Sequence, residues 1–163
     1  MPGKKTDKYR YWLTFLLADL PVGAIFQPGI LHITIIPWFV VEIDESKLRK
    51  SFNKAFGHLQ VFDVRVGEKA VFGPDRDVPV NLIKDAPEII QLHKLALDWF
   101  GQVGARWAVQ QPHVGNEYVP HIRYRRGSDL TQGSRLHLDS LTLVRALRSE
   151  DGQRSVAERA TLE

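Results

Sequence analysis

Two short segments of this chain, His32-Ile33-Thr34 and His121-Ile122-Arg123, hold side chains suited to proton transfer at a phosphate. In an extended strand, residues i and i+2 project from the same face, so His32 and Thr34 share one side, as do His121 and Arg123. Imidazole titrates near neutral pH and can take or give a proton, while a threonine hydroxyl and a guanidinium can hold the non-bridging oxygens of a phosphate. One such segment alone is more often an ordinary half-buried strand with a satisfied histidine. Two of them, in corresponding places of the two half-chains, point to one shared cleft.

Other chemistries are excluded by inventory. The chain has no cysteine, so disulfides, thiolate zinc sites and thiol nucleophiles are absent. His58, His93, His113 and His137 have no carboxylate at a metal-ligand spacing, and no metal site is expected. Neither a glycine-rich phosphate loop nor a Ser-His-Asp signature is present.

The histidine segments need strands to present them. Residues 9–17 are rich in aromatic and β-branched residues and predict a first strand, followed by a Pro- and Gly-containing loop over 21–29. Leu31–Val41 predicts a second strand, with His32, Thr34 and Ile36 on one side and Leu31, Ile33 and Ile35 on the other until Pro37 intervenes. Asp44-Glu45-Ser46 offers capping groups and first-turn acids. Leu48, Phe52, Ala55, Phe56 and Leu59 then recur at helical spacing, which predicts a helix ending near Gly57.

A hairpin is expected over 60–83, turning at 73–77, before a second helix opened by Asp85-Ala86-Pro87-Glu88 and carrying Ile89, Leu92, His93, Leu95, Ala96, Trp99 and Phe100. Tyr118–Arg125 and Arg135–Leu147 alternate as strands, and beyond Ser149 a loose polar tail is expected. The order is approximately β-β-α-β-β-α-β-β, so that each half contributes a histidine-bearing strand.

At 163 residues, with 44% hydrophobic residues, the chain can fill one core. The reading is a single bilobal domain over 1–148 and a polar C-terminal tail over 149–163. Its 22 Lys and Arg against 19 Asp and Glu permit an anionic ligand without specifying one. No signal peptide and no membrane-spanning run is seen, so a cytoplasmic monomer is expected.

With its paired motifs, the sequence resembles the two-histidine (2H) phosphoesterases, which include 2'-5' RNA ligase-like proteins and cyclic phosphodiesterases. That family is marked by two H-x-[S/T]-x motifs on strands. Leu31-His32-Ile33-Thr34-Ile35 fits the first, and Val119-Pro120-His121-Ile122-Arg123-Tyr124 fits the second except at Arg123. The histidines lie 89 residues apart, and the likeness spans roughly residues 9–148.

The resemblance implies an α+β bilobal fold, two pseudo-symmetric antiparallel sheets forming a cleft with helices packed outside. It also implies metal-independent, cofactor-free chemistry on 2',3'-cyclic phosphate or 2'-5' phosphodiester linkages of RNA or nucleotides. His32 is then general acid to the leaving ribose oxygen and His121 general base, or the reverse. Thr34 and Arg123 would bind the phosphate, joined by Arg125 if the strand continues.

Arg123 opens two readings. It either takes over the phosphate-clamping task of the missing hydroxyl, or its bulk and charge lower the pKa of His121 and displace substrate, leaving an RNA- or nucleotide-binding protein without catalysis. A third reading makes the chain an interaction module in which both histidines are incidental. Tyr11, Trp12, Phe39 and Trp107 are candidate base-stacking platforms, although aromatics at strand positions more often belong to a core.

Overall fold

The computed structural model describes residues 8–84, 86–111, 113–123, 130–149 and 152–163. In chain order these form β1 (Tyr9–Leu16), β2 (Ile25–Phe26), β3 (His32–Val40), α1 (Glu45–Phe56), β4 (Phe62–Phe72), β5 (Val78–Lys84), α2 (Pro87–Gln102), β6 (Arg106–Trp107), β7 (His121–Arg123), β8 (Arg135–Leu138), β9 (Ser140–Leu147) and β10 (Arg154–Thr161). A six-stranded sheet runs β2-β10-β9-β1-β3-β6 and a four-stranded sheet runs β7-β5-β4-β8. Every pairing is antiparallel, so this is the expected α+β architecture with two sheets of unequal size.

Alternation places Tyr11, Leu13 and Phe15 of β1 on one face of the large sheet, where they are fully buried beneath the helices. α1 contributes Leu48, Phe52 and Phe56 at i, i+4 and i+8, and packs against β10. α2 packs against β3, and Trp99 meets Phe39, Phe52 and Phe56 edge-on, joining β3, α2 and α1 at one point. Val64, Ile83, Ile122 and Leu138 of the smaller sheet enter the same core.

Asp44 sits at the N-cap of α1 but makes no side-chain capping bond. Its neighbour Glu45 reaches across the sheet instead, accepting from the Tyr11 hydroxyl at 2.9 Å and from Arg145 at 2.9 and 2.7 Å.

Four sequence expectations are corrected. The segment after Ser149 is no loose tail: Arg154–Thr161 is β10, between β9 and β2, with Val156, Ala157, Ala160 and Leu162 buried. A bulge between Val156 and Glu158 breaks its alternation, and its inward residues are mostly alanine, so no period-2 apolar signal shows. The stretch Arg135–Leu147 is two strands, because the chain passes at Asp139 from the small sheet to the large one. The strand expected over Tyr118–Arg125 is regular only at His121–Arg123, with 124–129 outside the described residues.

The fourth concerns β3. Its register against β1 slips between Leu13↔Ile36 and Thr14↔Thr34, leaving Ile35 as an extra residue. Ile36 therefore joins Ile35 in the core, both at 0% exposure, rather than sharing the face of His32 and Thr34. No helix among the described residues is long and apolar enough to cross a membrane.

Candidate functional site

The first half-site lies on the face of the large sheet opposite the main core. His32 is paired with Leu16 and Thr34 with Thr14, and both are partly exposed. The His32 Nδ1 is 2.8 Å from the carbonyl oxygen of Ile30. A carbonyl can only accept, so Nδ1 carries the proton of the neutral ring and the basic lone pair lies on Nε2. Trp12 of β1 stands edge-on to the His32 ring, centroids 4.4 Å apart, and donates its indole N–H to the Thr34 Oγ1 at 3.0 Å.

The second half-site repeats this construction in the smaller sheet. His121 Nδ1 is 2.8 Å from the Val119 carbonyl oxygen, again two residues back, and Phe72 meets its ring edge-on at 4.8 Å. Both imidazoles thus have the same tautomer and the same kind of aromatic neighbour. Burial pushes the His121 pKa below the ordinary histidine value, helped by the nearby charge of His113 and opposed by the bond to Val119. His121 is therefore neutral at neutral pH, the state a general base requires.

Arg123 is exposed opposite Val80, with its guanidinium held by no hydrogen bond or ion pair among the described residues. Arg125 falls in the segment outside the described residues.

The strands that carry the two motifs touch: β3 and β7 run in contact although they belong to different sheets. β6 pairs only with Phe39 and Val40, so among the described residues the outer edge of β3 has no strand partner at Thr34 and Ile35. Side chains occupy it: the Tyr118 hydroxyl donates to the Thr34 carbonyl at 2.7 Å, and His93 Nδ1 donates to the Ile35 carbonyl at 2.8 Å. His93 Nε2 accepts from the Gly115 N–H at 2.8 Å and its ring stacks on Tyr118.

The chain entering the second motif is thereby tied to the strand of the first. Burial lowers the His93 pKa and raises that of Tyr118, so His93 is neutral and the Tyr118 hydroxyl stays protonated.

A cavity of about 440 Å³ adjoins the first half-site through Leu16, the residue paired with His32. Its polar walls include Asp19, His137, Ser140, Thr142 and Arg159, with Arg159 donating to Ser140 and pairing with Asp19 at 2.6 Å. The two motif histidines are not among its walls. No three His, Asp or Glu side chains gather as a metal-binding group among the described residues.

The sequence did not single out Tyr118 or His93 for this place. His93 belongs to the apolar stripe of α2, and no spacing rule links a helix position to a strand edge 58 residues away. Among the aromatic candidates, Tyr11 and Phe39 are core residues and Trp107 stacks on Phe100 at 4.2 Å; only Trp12 touches the site.

Two antiparallel sheets, meeting where the histidine-bearing strands β3 and β7 touch, make up a fold that this chain shares with solved structures of LigT and a phosphoesterase. Solved structures share it along nearly the full chain. LigT of E. coli complexed with 3'-AMP is 15% identical, with 95% of this chain and 98% of that one covered and a TM-score of 0.62. A protein described as a phosphoesterase is 15% identical over the same shares with a TM-score of 0.63. TT0787 of Thermus thermophilus is 16% identical, with 94% and 97% covered and a TM-score of 0.61. LigT has also been solved with NADP+, phosphate and ATP. No protein-family model and no curated protein matches the sequence.

Proposed function

We propose that this chain is a two-histidine phosphoesterase that opens 2',3'-cyclic phosphates, or cleaves and rejoins 2'-5' phosphodiester linkages, in RNA or nucleotides without a metal. The observation that carries the reading is the matched pair of imidazoles, each held by a carbonyl two residues back so that Nε2 is the working nitrogen. The likeness to LigT, solved with 3'-AMP, supports a nucleotide ligand.

In hydrolysis His121 Nε2 takes a proton from water as its oxygen attacks phosphorus. His32, protonated at Nε2, gives that proton to the departing ribose oxygen as its bond to phosphorus breaks. The Thr34 hydroxyl and Arg123 guanidinium hold the non-bridging oxygens as charge gathers there, and Arg125 is assigned to the same task from the sequence. The cavity beside Leu16 offers room for a nucleoside. With a ribose 5'-hydroxyl in place of water, the same transfers open the ring and form a 2'-5' linkage; in reverse, the adjacent ribose hydroxyl attacks that phosphorus, re-forms the cyclic phosphate and releases the 5'-hydroxyl.

Incubation with nucleoside 2',3'-cyclic phosphates and RNAs ending in one, with EDTA present, tests this by chromatography of the products. Turnover is expected, with His32→Ala and His121→Ala each reducing it by at least about 100-fold. Absence of turnover by the wild type, or undiminished turnover by either variant, refutes it. Because Arg123 departs from the second motif, Arg123→Thr separates the rival reading: activity gained from an inactive wild type identifies a binding protein that has lost catalysis.

A further inference from the structure

We infer that Trp12 is a positioning residue of the first half-site, whose indole N–H occupies the acceptor side of the Thr34 hydroxyl and so commits that hydroxyl to donate to a bound phosphate. The inference deepens the phosphoesterase reading and rests on it for its kinetic test.

An indole N–H can only donate, so the Trp12 contact at 3.0 Å makes Thr34 Oγ1 an acceptor there without ambiguity. The hydroxyl proton of Thr34 must then point elsewhere. A phosphate oxygen is acceptor-only, which is the partner that a hydroxyl oriented in this way can serve. Trp12 is 6% exposed and needs some partner for its N–H; it finds it in the side chain of the first motif.

The same indole stands edge-on against His32, so one side chain restrains both functional groups of this half-site. The β3 bulge at Ile35 makes the arrangement possible. It leaves Thr34 paired with Thr14 while the next register position is Leu13↔Ile36, which sets Trp12 diagonally beside Thr34. Trp12 is held from behind by Phe26, Val144 and Val156 and by Trp38 at 5.5 Å, so its orientation does not depend on the site it serves.

The indole proton reports on this directly. Of the four tryptophans, the Trp12 resonance is identified by its loss in Trp12→Phe, and inorganic phosphate is titrated into the wild type while the indole signals are followed by NMR. A saturable shift of the Trp12 signal is expected, absent in Thr34→Val. A signal that phosphate leaves unmoved overturns the inference. The phosphoesterase reading fails by a different result, a phosphate-dependent shift with no turnover of cyclic phosphates.

The kinetic arm uses Trp12→Phe, Thr34→Val and the double variant. Trp12→Phe is expected to lower kcat/KM by about three- to tenfold, the range of one neutral hydrogen bond, and to add nothing in the Thr34→Val background. An equal loss in both backgrounds marks Trp12 as a packing residue only.

Discussion

The ring of Tyr118 lies flat on that of His93, with centroids 3.9 Å apart and planes 8° from parallel, and each ring also bonds a carbonyl on the outer edge of β3. Tyr118 stands three residues before His121, so this stack sets where the second imidazole stands relative to the first. Tyr118→Phe keeps the stack and removes only the bond to Thr34. It should cost about 1 kcal/mol in urea unfolding. In steady-state kinetics kcat should fall by roughly tenfold with a smaller change in KM, because misplaced groups cost more in the transition state than in binding.

His93 makes the same brace sensitive to acid. Its Nδ1–H is donated to Ile35 and its Nε2 accepts from Gly115, so a second proton has no place without breaking the Gly115 bond. Burial sets the folded-state pKa below the ordinary 6.5. As pH falls through that ordinary value the unfolded chain binds a proton that the folded chain refuses, and stability declines until the folded pKa is passed. Urea unfolding between pH 7.5 and 5 should show this decline, and His93→Gln, which keeps one donor and one acceptor, should flatten it. His121 adds a parallel slope in the same direction, so the variant reduces the decline without abolishing it.

What was legible in the sequence follows from what is local. The alternation around His32 and His121 and the periodicity of α1 and α2 are properties of neighbouring residues, and these elements stand where the pattern put them. The bulge at Ile35 is set by the opposing strand and leaves no local trace, whereas the crossing at Asp139 shows only as a one-residue slip in phase, from Leu136 and Leu138 to Leu141 and Leu143. The brace joins a helix, a loop and a strand edge, and only the folded chain makes it a unit.

The pH dependence of turnover tests the assignment of His121 as base. Burial foremost, and then the charge of His113, depress its pKa, so the acidic limb of kcat/KM should lie below pH 6.5. His113→Asn removes the second cause and should move that limb to higher pH with little effect on the plateau rate. A limb unmoved by this substitution would mean that the two imidazoles do not sense each other.

β10 supplies a stability prediction that a disordered tail does not share. Its Glu158, at the bulge, accepts from Arg49 and Asn53 of α1, both at 3.2 Å, while Val156 closes the cluster around Trp12. Ending the chain at Ser149 would bare the edge of β9 and open both faces of the large sheet. The shortened protein should lose its cooperative thermal transition or aggregate, as read by calorimetry and light scattering. An unchanged melt would show that the strand contributes nothing to the fold.

Arg123 decides how complete the second half-site is. The guanidinium is exposed beside His121, and no partner among the described residues competes for it, so it is available to an anion. A charge-assisted bond to phosphate contributes about 1.5–3 kcal/mol, so Arg123→Ala should lower kcat/KM for a cyclic phosphate by roughly 10- to 100-fold. Arg123→Lys should recover only part of this, because an ammonium supplies the charge without the two parallel donors of the guanidinium. Arg123→Thr, which restores a hydroxyl, should fall between Ala and wild type and lose much of the salt dependence that the fixed charge confers. Kinetics at two ionic strengths separate these outcomes: if Arg123→Thr is faster than wild type at both, the arginine obstructs the site rather than serving it.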